Sequence, residues 1–151
     1  MARTAEDSHL LLHGMSLDLE ALSSSGPKRF GLKGLTEDEV RDHLFLKCRF
    51  STQIWTLALA RIDPAQTGFI TWAELLSWSR FSTQAAPATL RRLLTHGMVF
   101  HLWRQRNNVL HNNVHLSPLQ MFKLMDRDIK NAITARQHKR NFRGLMCLWI
   151  R

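Results

Sequence analysis

Residues 87–112 read PATLRRLLTHGMVFHLWRQRNNVLHN, and this stretch has the strongest helical pattern in the chain. Pro87 suits the first turn of a helix, because no hydrogen bond from its nitrogen is needed there. Apolar side chains then recur every three or four residues, which is the spacing of one helical face. The pattern predicts a helix from Ala88 to about Asn112, in which Gly97 either weakens the helix or permits close packing. The predicted core stripe is Leu90, Leu93, Leu94, Met98, Leu102 and Trp103.

A second helix is predicted downstream, because Ser117 and Pro118 provide a cap and a first-turn proline. Its apolar stripe comprises Leu119, Phe122, Ile129 and Ile133. The cationic residues opposite that stripe are Lys123, Arg127, Lys130 and Arg136. The tail from Asn141 to Arg151 shows no clear pattern.

Upstream of the long helix, Thr36 and Glu39 form a capping box, in which a hydroxyl and a carboxylate satisfy N–H groups of the first turn. This pair predicts a helix to about Lys47. Ser51 is the predicted cap of the next helix, which runs to about Ile62. The face predicted to be buried contains Ile54, Leu57 and Ala58.

The sequence Asp63-Pro64 ends that helix, because a residue before proline avoids helical backbone. Thr71 and Glu74 form a second capping box and predict a short helix to about Trp78. The inner side of this helix is predicted to hold Leu75 and Trp78.

These patterns predict an all-α protein. No stretch alternates apolar and polar residues over six or more positions, as a half-buried strand would. Residues 36–151 are interpreted as one small, irregular helical domain of about five helices. Residues 1–35 contain a Ser-, Gly- and Pro-rich stretch and are interpreted as a poorly defined, flexible N-terminal segment.

Length and composition narrow the class of protein further. The chain has 151 residues, 44% of them hydrophobic, which is enough to bury a core without metal or disulfides. Its only cysteines, Cys48 and Cys147, exclude a disulfide scaffold and a four-cysteine zinc site. Apolar runs are too short for a membrane span, and the first residues lack a secretory signal. We therefore expect an intracellular protein, nuclear or cytoplasmic, with no membrane partner.

Positive charge is concentrated in the last part of the chain. Residues 1–89 contain nine Lys or Arg and ten Asp or Glu, whereas residues 90–151 contain twelve and two. Clustered cations bind polyanions because binding releases condensed counterions, and RNA or DNA is the first polyanion to expect. A solvated helical surface without a partner is the alternative.

Residues 103–113 combine aromatic, cationic and amide side chains, which suits phosphate contacts with base stacking. They also suit a helix end, where Arg and His complement the dipole and Asn closes the turn. The densest basic run follows at residues 136–143. We predict sequence-independent RNA or DNA binding by Arg91, Arg92, Arg104, Arg106, Lys123, Arg127, Lys130, Arg136, Lys139, Arg140 and Arg143.

His43 and Cys48 have the spacing of half a zinc site. Zinc takes four nitrogen or sulfur ligands, and the usual partner is a Cys-x2-Cys pair upstream. No cysteine precedes Cys48, so two ligands are missing and no cofactor is expected from spacing alone. A buried cysteine and a hydrogen-bonded histidine on a packed helix is the favoured interpretation.

Residues 41–55 read RDHLFLKCRFSTQIW and resemble the second half of a zinc-binding region. That region lies near the C-terminal end of plant LINE-type (non-LTR) retrotransposon reverse transcriptases. Its pattern is a Cys-x2-Cys pair, a spacer, His-Leu-Phe-x2-Cys, a small turn and Trp. Residues 103–107 and 142–149 look like the helical continuation of those polyproteins, so the resemblance extends over about residues 36–151.

The resemblance implies that His43 and Cys48 are two of four zinc ligands, with the other pair between about Ser16 and Thr36. This chain has no cysteine there, so the implied zinc site is degenerate. A reverse transcriptase also needs paired metal-binding aspartates, usually after a tyrosine, and the chain contains neither Tyr nor Asp-Asp. We therefore expect no enzyme activity and interpret the chain as a non-catalytic remnant of such a polyprotein.

Two other interpretations stay open. In the first, the chain is a helical interaction module, whose stripe Leu119, Phe122, Ile129 and Ile133 pairs with a partner helix or with itself. In the second, it is a translated relic without a selected function.

Overall fold

The computed structural model describes residues 37–150, and this part of the chain is all-α. Six α-helices follow one another, and residues 37–150 contain no β-strand. The predicted fold class is therefore confirmed, and the additional helix lies in the tail that has no clear sequence pattern. The capping box predicted at Thr36 and the flexible segment predicted for residues 1–35 lie outside the described residues.

The helices are α1 (Glu37–Asp42), α2 (Arg49–Ile62), α3 (Trp72–Arg80), α4 (Ala88–Asn112), α5 (Pro118–Ala135) and α6 (Leu145–Trp149). A π-helical segment, His43–Lys47, continues α1, and a 3-10 turn, Arg140–Phe142, precedes α6. Among these described helices, none is both long enough and apolar enough to cross a membrane.

Cys48, rather than the predicted Ser51, caps the start of α2. The Cys48 backbone is extended, and its sulfur accepts a hydrogen bond from the Ser51 N–H at 3.3 Å. Ser51 is fully buried inside the first turn, and its hydroxyl donates to the Leu44 carbonyl of the preceding segment. The prediction of Ser51 as the cap was wrong because the serine hydroxyl is bonded to a neighbouring segment of the chain. Residue preferences at helix starts do not show such packing between segments.

The second capping box is confirmed in part. The Thr71 hydroxyl accepts a hydrogen bond from the Glu74 N–H at 3.2 Å, as predicted. The Glu74 carboxylate, however, accepts from the N–H of Ile70 at 2.8 Å, one residue before the cap. Both contacts fix the entry into α3.

Helix α4 has the predicted bounds and packs closely on α5 at Gly97. A Cβ atom at Gly97 would lie 3.3 Å from the Met125 Cγ, which is tighter than ordinary van der Waals contact. The glycine therefore serves close packing, one of its two predicted roles. Helix α5 begins with a complete capping box, because Ser117 and Gln120 exchange hydrogen bonds of 3.2 and 2.8 Å.

Three apolar residues predicted for the core face solvent instead. Leu57, Trp103 and Leu119 are 37%, 54% and 53% exposed. Each lies at the border of its helical stripe, and the helices are rotated so that neighbouring large side chains fill the interior. These neighbours are Trp55, Leu59, Leu102 and Met121.

The stripe predicted to pair with a partner helix is mostly internal. Phe122, Ile129 and Ile133 are buried, because α5 packs against α2, α4 and α6 of the same chain. Only Leu119 of that stripe is exposed. The predicted pairing surface is therefore corrected to a part of the chain's own core.

Helix α6 closes the core at the C-terminal end. Gly144 has a left-handed backbone, with φ of +77°, which turns the chain from the 3-10 turn into the helix. Leu145 and Trp149 of α6 are buried, and the Trp149 indole N–H donates to Asp126 Oδ1 at 2.9 Å. This contact ties the short helix to the middle of α5.

Candidate nucleic-acid interface

Arg91 does not belong to the predicted basic surface, because its side chain is only 4% exposed. Its Nη2 lies 3.0 Å from Asp63 Oδ2, and its Nε donates to the Ala86 carbonyl at 3.1 Å. The guanidinium also stacks on the Trp78 ring at 4.6 Å. Burial among these partners makes Arg91 a structural residue and corrects its assignment to nucleic-acid binding.

Asp126 pairs with cationic side chains of two helices and so neutralises part of the positive charge of α5 inside the fold. Its carboxylate pairs with Arg61 of α2, accepts from Lys130 Nζ at 2.8 Å and accepts from the Trp149 indole. Burial acts to raise the pKa of Asp126, but the hydrogen bonds from Lys130, Arg61 and Trp149 outweigh it, so its pKa is lowered. Lys130 therefore contributes to this network in addition to any contact that it makes with an external anion.

Asp128 is engaged in the same way by the neighbouring helix. Its Oδ2 lies 3.0 Å from Nε2 of the buried His101, and its Oδ1 lies 3.5 Å from Arg127 Nε. Burial acts to raise the pKa of Asp128, but His101 and Arg127 outweigh it and lower the pKa. Both acidic residues of the region 90–150 are thus compensated within the fold.

Most of the other predicted cations lie on the surface. Arg127 remains 57% exposed in its side chain despite its contact with Asp128. The other exposed cations of the predicted set are Arg92, Arg104, Lys123, Lys139, Arg140 and Arg143. Arg106 and Arg136 are half-buried, and burial lowers the pKa of Arg106, which still leaves a guanidinium charged at neutral pH.

Two hollows bring some of these cations together. Arg104 of α4 and Arg127 of α5 line a groove between the two helices. Arg143 lines a second hollow near the C-terminal end of α5, and Arg136 lies 5.6 Å from the ring of Phe142, which lines the same hollow. Arg92, near the start of α4, lines neither hollow.

The α4–α5 groove contains residues that the site prediction did not include. Its lining combines the predicted Arg104 and Arg127 with His101, Gln105, Asn108, Leu116, Met121 and Leu124. The amide-rich sequence at residues 103–113 was the available signal, but only the fold shows that Gln105 and Asn108 face α5.

His43 and Cys48, the two residues with the spacing of half a zinc site, form local hydrogen bonds at the start of α2. The Cys48 sulfur accepts from the Ser51 N–H and lies 2.9 Å from the Ser51 hydroxyl, while the exposed His43 contributes its backbone carbonyl to the N–H of Cys48 at 2.7 Å. Within residues 37–150 there is no group of three or more His, Cys, Asp or Glu side chains placed to hold a metal ion. The residues that are described therefore supply no third ligand beside His43 and Cys48.

Comparison with known proteins adds no assignment. No family model matches the chain, and neither a curated protein nor a solved structure matches it.

Proposed function

We propose that the chain is a non-catalytic helical module that binds single-stranded RNA or DNA without strong sequence preference. The observation that carries this proposal is the charge balance of residues 90–150. Both acidic residues there, Asp126 and Asp128, are compensated by partners inside the fold, whereas most of the cations are exposed. The surface formed by α4, α5 and the C-terminal turn is therefore strongly positive.

Electrostatics would supply most of the affinity. A cation that contacts a phosphate releases condensed counterions, and this gain depends on phosphate spacing rather than on base identity. Exposed cations lie on α5 at Lys123 and Arg127 and around the 3-10 turn at Lys139, Arg140 and Arg143, so a chain of phosphates can contact more of them than a single anion can. Such binding does not require a catalytic group.

Exposed Trp103 supports a single strand as the ligand. Its indole is 54% exposed on α4, next to Arg104. Bases of a single strand stack on such side chains, and stacking contributes about 1–3 kcal/mol per base. Bases in a duplex are already stacked and do not gain this contact.

The resemblance of residues 41–55 to the reverse transcriptase zinc-binding region supports the same function and suggests an origin. We propose that the chain derives from that accessory region of a retrotransposon polyprotein, whose product must handle nucleic acid. In this chain Cys48 would act as a helix cap in place of a zinc ligand.

The test is the affinity of the full chain for a fluorescent, unstructured oligonucleotide at several salt concentrations. We expect log Kd to rise linearly with log salt, with a slope of about 0.7 per phosphate contact. The double substitution Lys139→Ala with Arg140→Ala should weaken binding and reduce the slope. An affinity that does not change with salt would contradict the proposal.

A matched control distinguishes the effect of a lower net charge from the effect of removing cations of the proposed binding surface. Lys47 and Arg49 are also exposed, and they lie on either side of Cys48, where the π-helical segment meets α2, outside the basic region. Lys47→Ala with Arg49→Ala removes the same charge and should change affinity much less. Equal losses in the two double variants would mean that net charge alone, and no particular surface, governs binding.

A further inference from the structure

The outer side of α4 has an exposed apolar strip within the basic region. Trp103 and Leu110 are 54% and 59% exposed. They are seven residues apart, close to two helical turns, so both lie on the same side of α4, about 10 Å apart along its axis. Half-buried Phe100, one turn before Trp103, extends this surface, and exposed Arg104 lies beside it. We call Phe100, Trp103 and Leu110 the α4 strip.

The α4 strip does not match a nucleic acid along its whole length. A base can stack on Trp103, but Leu110 has no aromatic face for stacking. A second copy that used the same strip would bring the Arg104 side chains of the two copies close together, because a two-fold contact apposes identical surfaces. Leucine side chains can pack on the apolar strip, and carboxylates can pair with the neighbouring cations. The strip therefore fits an acidic, leucine-rich peptide.

A peptide of this composition is present in the same chain. Residues 5–22 read AEDSHLLLHGMSLDLEAL and contain six Leu, four Asp or Glu, and no Lys or Arg. Residues 90–151, which include most of α4, contain twelve Lys or Arg and two Asp or Glu. The two parts of the chain are therefore opposite in charge, and complementary charges favour their association over other pairings.

The intervening chain is long enough for residues 5–22 to reach α4. Residues 23–36 separate them from α1 and can span up to about 46 Å when fully extended. A compact domain of the size of residues 37–150 has a radius of gyration of about 13 Å. Every face of the helical domain is therefore within reach. A covalent link of this length also holds residues 5–22 near the domain at an effective concentration on the order of 1 mM.

We infer that residues 5–22 dock on the α4 strip of the same chain and cover Trp103. Their leucines pack on the strip, and their carboxylates pair with Arg104 and other exposed cations of the basic region. At an effective concentration of about 1 mM, a contact with a dissociation constant of about 0.1 mM covers the strip in about nine of ten molecules. The docking itself does not require nucleic acid. Its consequence, competition with a bound strand for Trp103, rests on the proposed function.

The first test locates residues 5–22 without nucleic acid. Leu19→p-benzoylphenylalanine introduces a photoreactive side chain, and irradiation of the full chain followed by mass spectrometry identifies the residues that it contacts. We expect cross-links to residues 100–110 within one chain. Leu32→p-benzoylphenylalanine is the matched control in the intervening chain and should give a much lower yield at residues 100–110. Cross-links from position 19 to other helices only, or only between two chains, would overturn the inference.

Substitutions in the helical domain then test whether the strip is the surface that is recognised. Leu110→Ser keeps Trp103 and every charge, and it should lower the yield of cross-links from position 19 several-fold. Ile70→Ser is the matched control, because Ile70 is 69% exposed and lies before α3, outside the basic region. That variant should leave the yield unchanged. Equal yields in the two variants would overturn docking on the strip.

The second test measures competition with a fluorescent ten-nucleotide oligothymidylate. Leu19→Ser with Leu22→Ser removes two leucines of the docking segment without changing the net charge. This variant should bind the probe up to about tenfold more tightly than the wild type, because the strip is then free in most molecules. Leu57→Ser with Ile70→Ser is the control, since both residues are exposed outside the basic region, and it should not change the affinity. An affinity that is unchanged in the Leu19 and Leu22 variant would overturn the competition.

The two tests separate this inference from the proposed function. Cross-links to residues 100–110 in a chain that binds no oligonucleotide, with or without the serine substitutions, would support the docking and overturn the proposed function. Salt-dependent binding of the oligonucleotide by a chain without such cross-links would overturn the docking and support the basic surface.

Discussion

Arg91 and Arg92 are adjacent in the sequence but lie in opposite environments. Arg91 points into the fold, where its guanidinium meets Asp63 and the Trp78 ring, while Arg92 is exposed. Sequence alone gives both the same basic character. The difference comes from Asp63, a residue 28 positions earlier, which the fold brings within 3.0 Å.

We predict that Arg91→Ala destabilises the chain by about 2–4 kcal/mol, because it removes one partner of a largely buried ion pair and leaves Asp63 with the Trp78 indole N–H as a donor but without its cationic partner. We expect a smaller loss of stability than for a fully buried ion pair, because the Asp63 side chain is 23% exposed. Urea unfolding followed by circular dichroism measures it. Arg92→Ala is the control and should stay within about 0.5 kcal/mol of the wild type. Similar free energies of unfolding for the two variants would contradict the assigned role of Arg91.

His96 gives the folded chain a pH dependence of known sign. Burial, with a smaller contribution from the charge of Arg92, lowers the pKa of His96 from 6.5. Between the lowered pKa and 6.5 the unfolded chain binds a proton that the folded chain does not. Stability therefore rises with pH through this interval, is complete above 6.5 and is lost as pH falls toward the folded pKa.

We predict that His96→Gln flattens part of the decline in the free energy of unfolding between pH 7 and pH 5. Urea unfolding at several pH values measures the decline. His138→Gln is the control, because His138 is exposed in the turn after α5. A decline that persists unchanged in His96→Gln would show that other groups cause it.

At the level of helices, the sequence predicts those elements whose signals are local. The bounds of α4 and the cap of α5 agree with prediction, because Pro87, Ser117 and Pro118 act on their own turn. The start of α2 was misassigned, because the Ser51 hydroxyl is held by Leu44 of another segment. For the candidate site, too, some features follow from local sequence and others only from the fold. Exposed cations were predictable from composition, but the pairing of Arg91 and the position of Gln105 depend on contacts between helices.

Helix α6 shows how a short element depends on one distant contact. It has five residues, which is too short for a stable isolated helix. Trp149 anchors it, since its ring is fully buried and its indole N–H donates to Asp126. Residues 141–151 carry no signal for this contact, because Asp126 lies on another helix.

We predict that Trp149→Phe destabilises the chain by about 1–3 kcal/mol, because Asp126 loses a buried donor and the smaller ring leaves space. Chemical unfolding measures the loss. Trp103→Phe is the matched control, because Trp103 is exposed on α4, and it should be nearly neutral for stability. A neutral result for Trp149→Phe would mean that α6 is dispensable for the core.

For the whole molecule, the described helices share one hydrophobic core. The core extends from Leu46 through α2, α3, α4 and α5 to Trp149. The thiol of Cys48, the cysteine that the family resemblance assigns to zinc, is used to cap α2. A core of this extent in a chain of 151 residues is large enough for cooperative unfolding.

We predict one cooperative loss of helical circular dichroism on heating, with a midpoint unchanged by a chelator or by added zinc. A zinc site that contributed to folding would make the midpoint fall when the metal is removed, because metal binding adds directly to the free energy of folding. Cys48→Ser serves as a second check: it keeps a helix cap and removes the proposed zinc ligand, so it should melt close to the wild type. A chelator-sensitive midpoint that becomes insensitive in Cys48→Ser would establish Cys48 as a ligand. A gradual melt without a transition would instead favour the translated relic, because a selected binding module needs a single folded state to present Arg104 and Arg127 together.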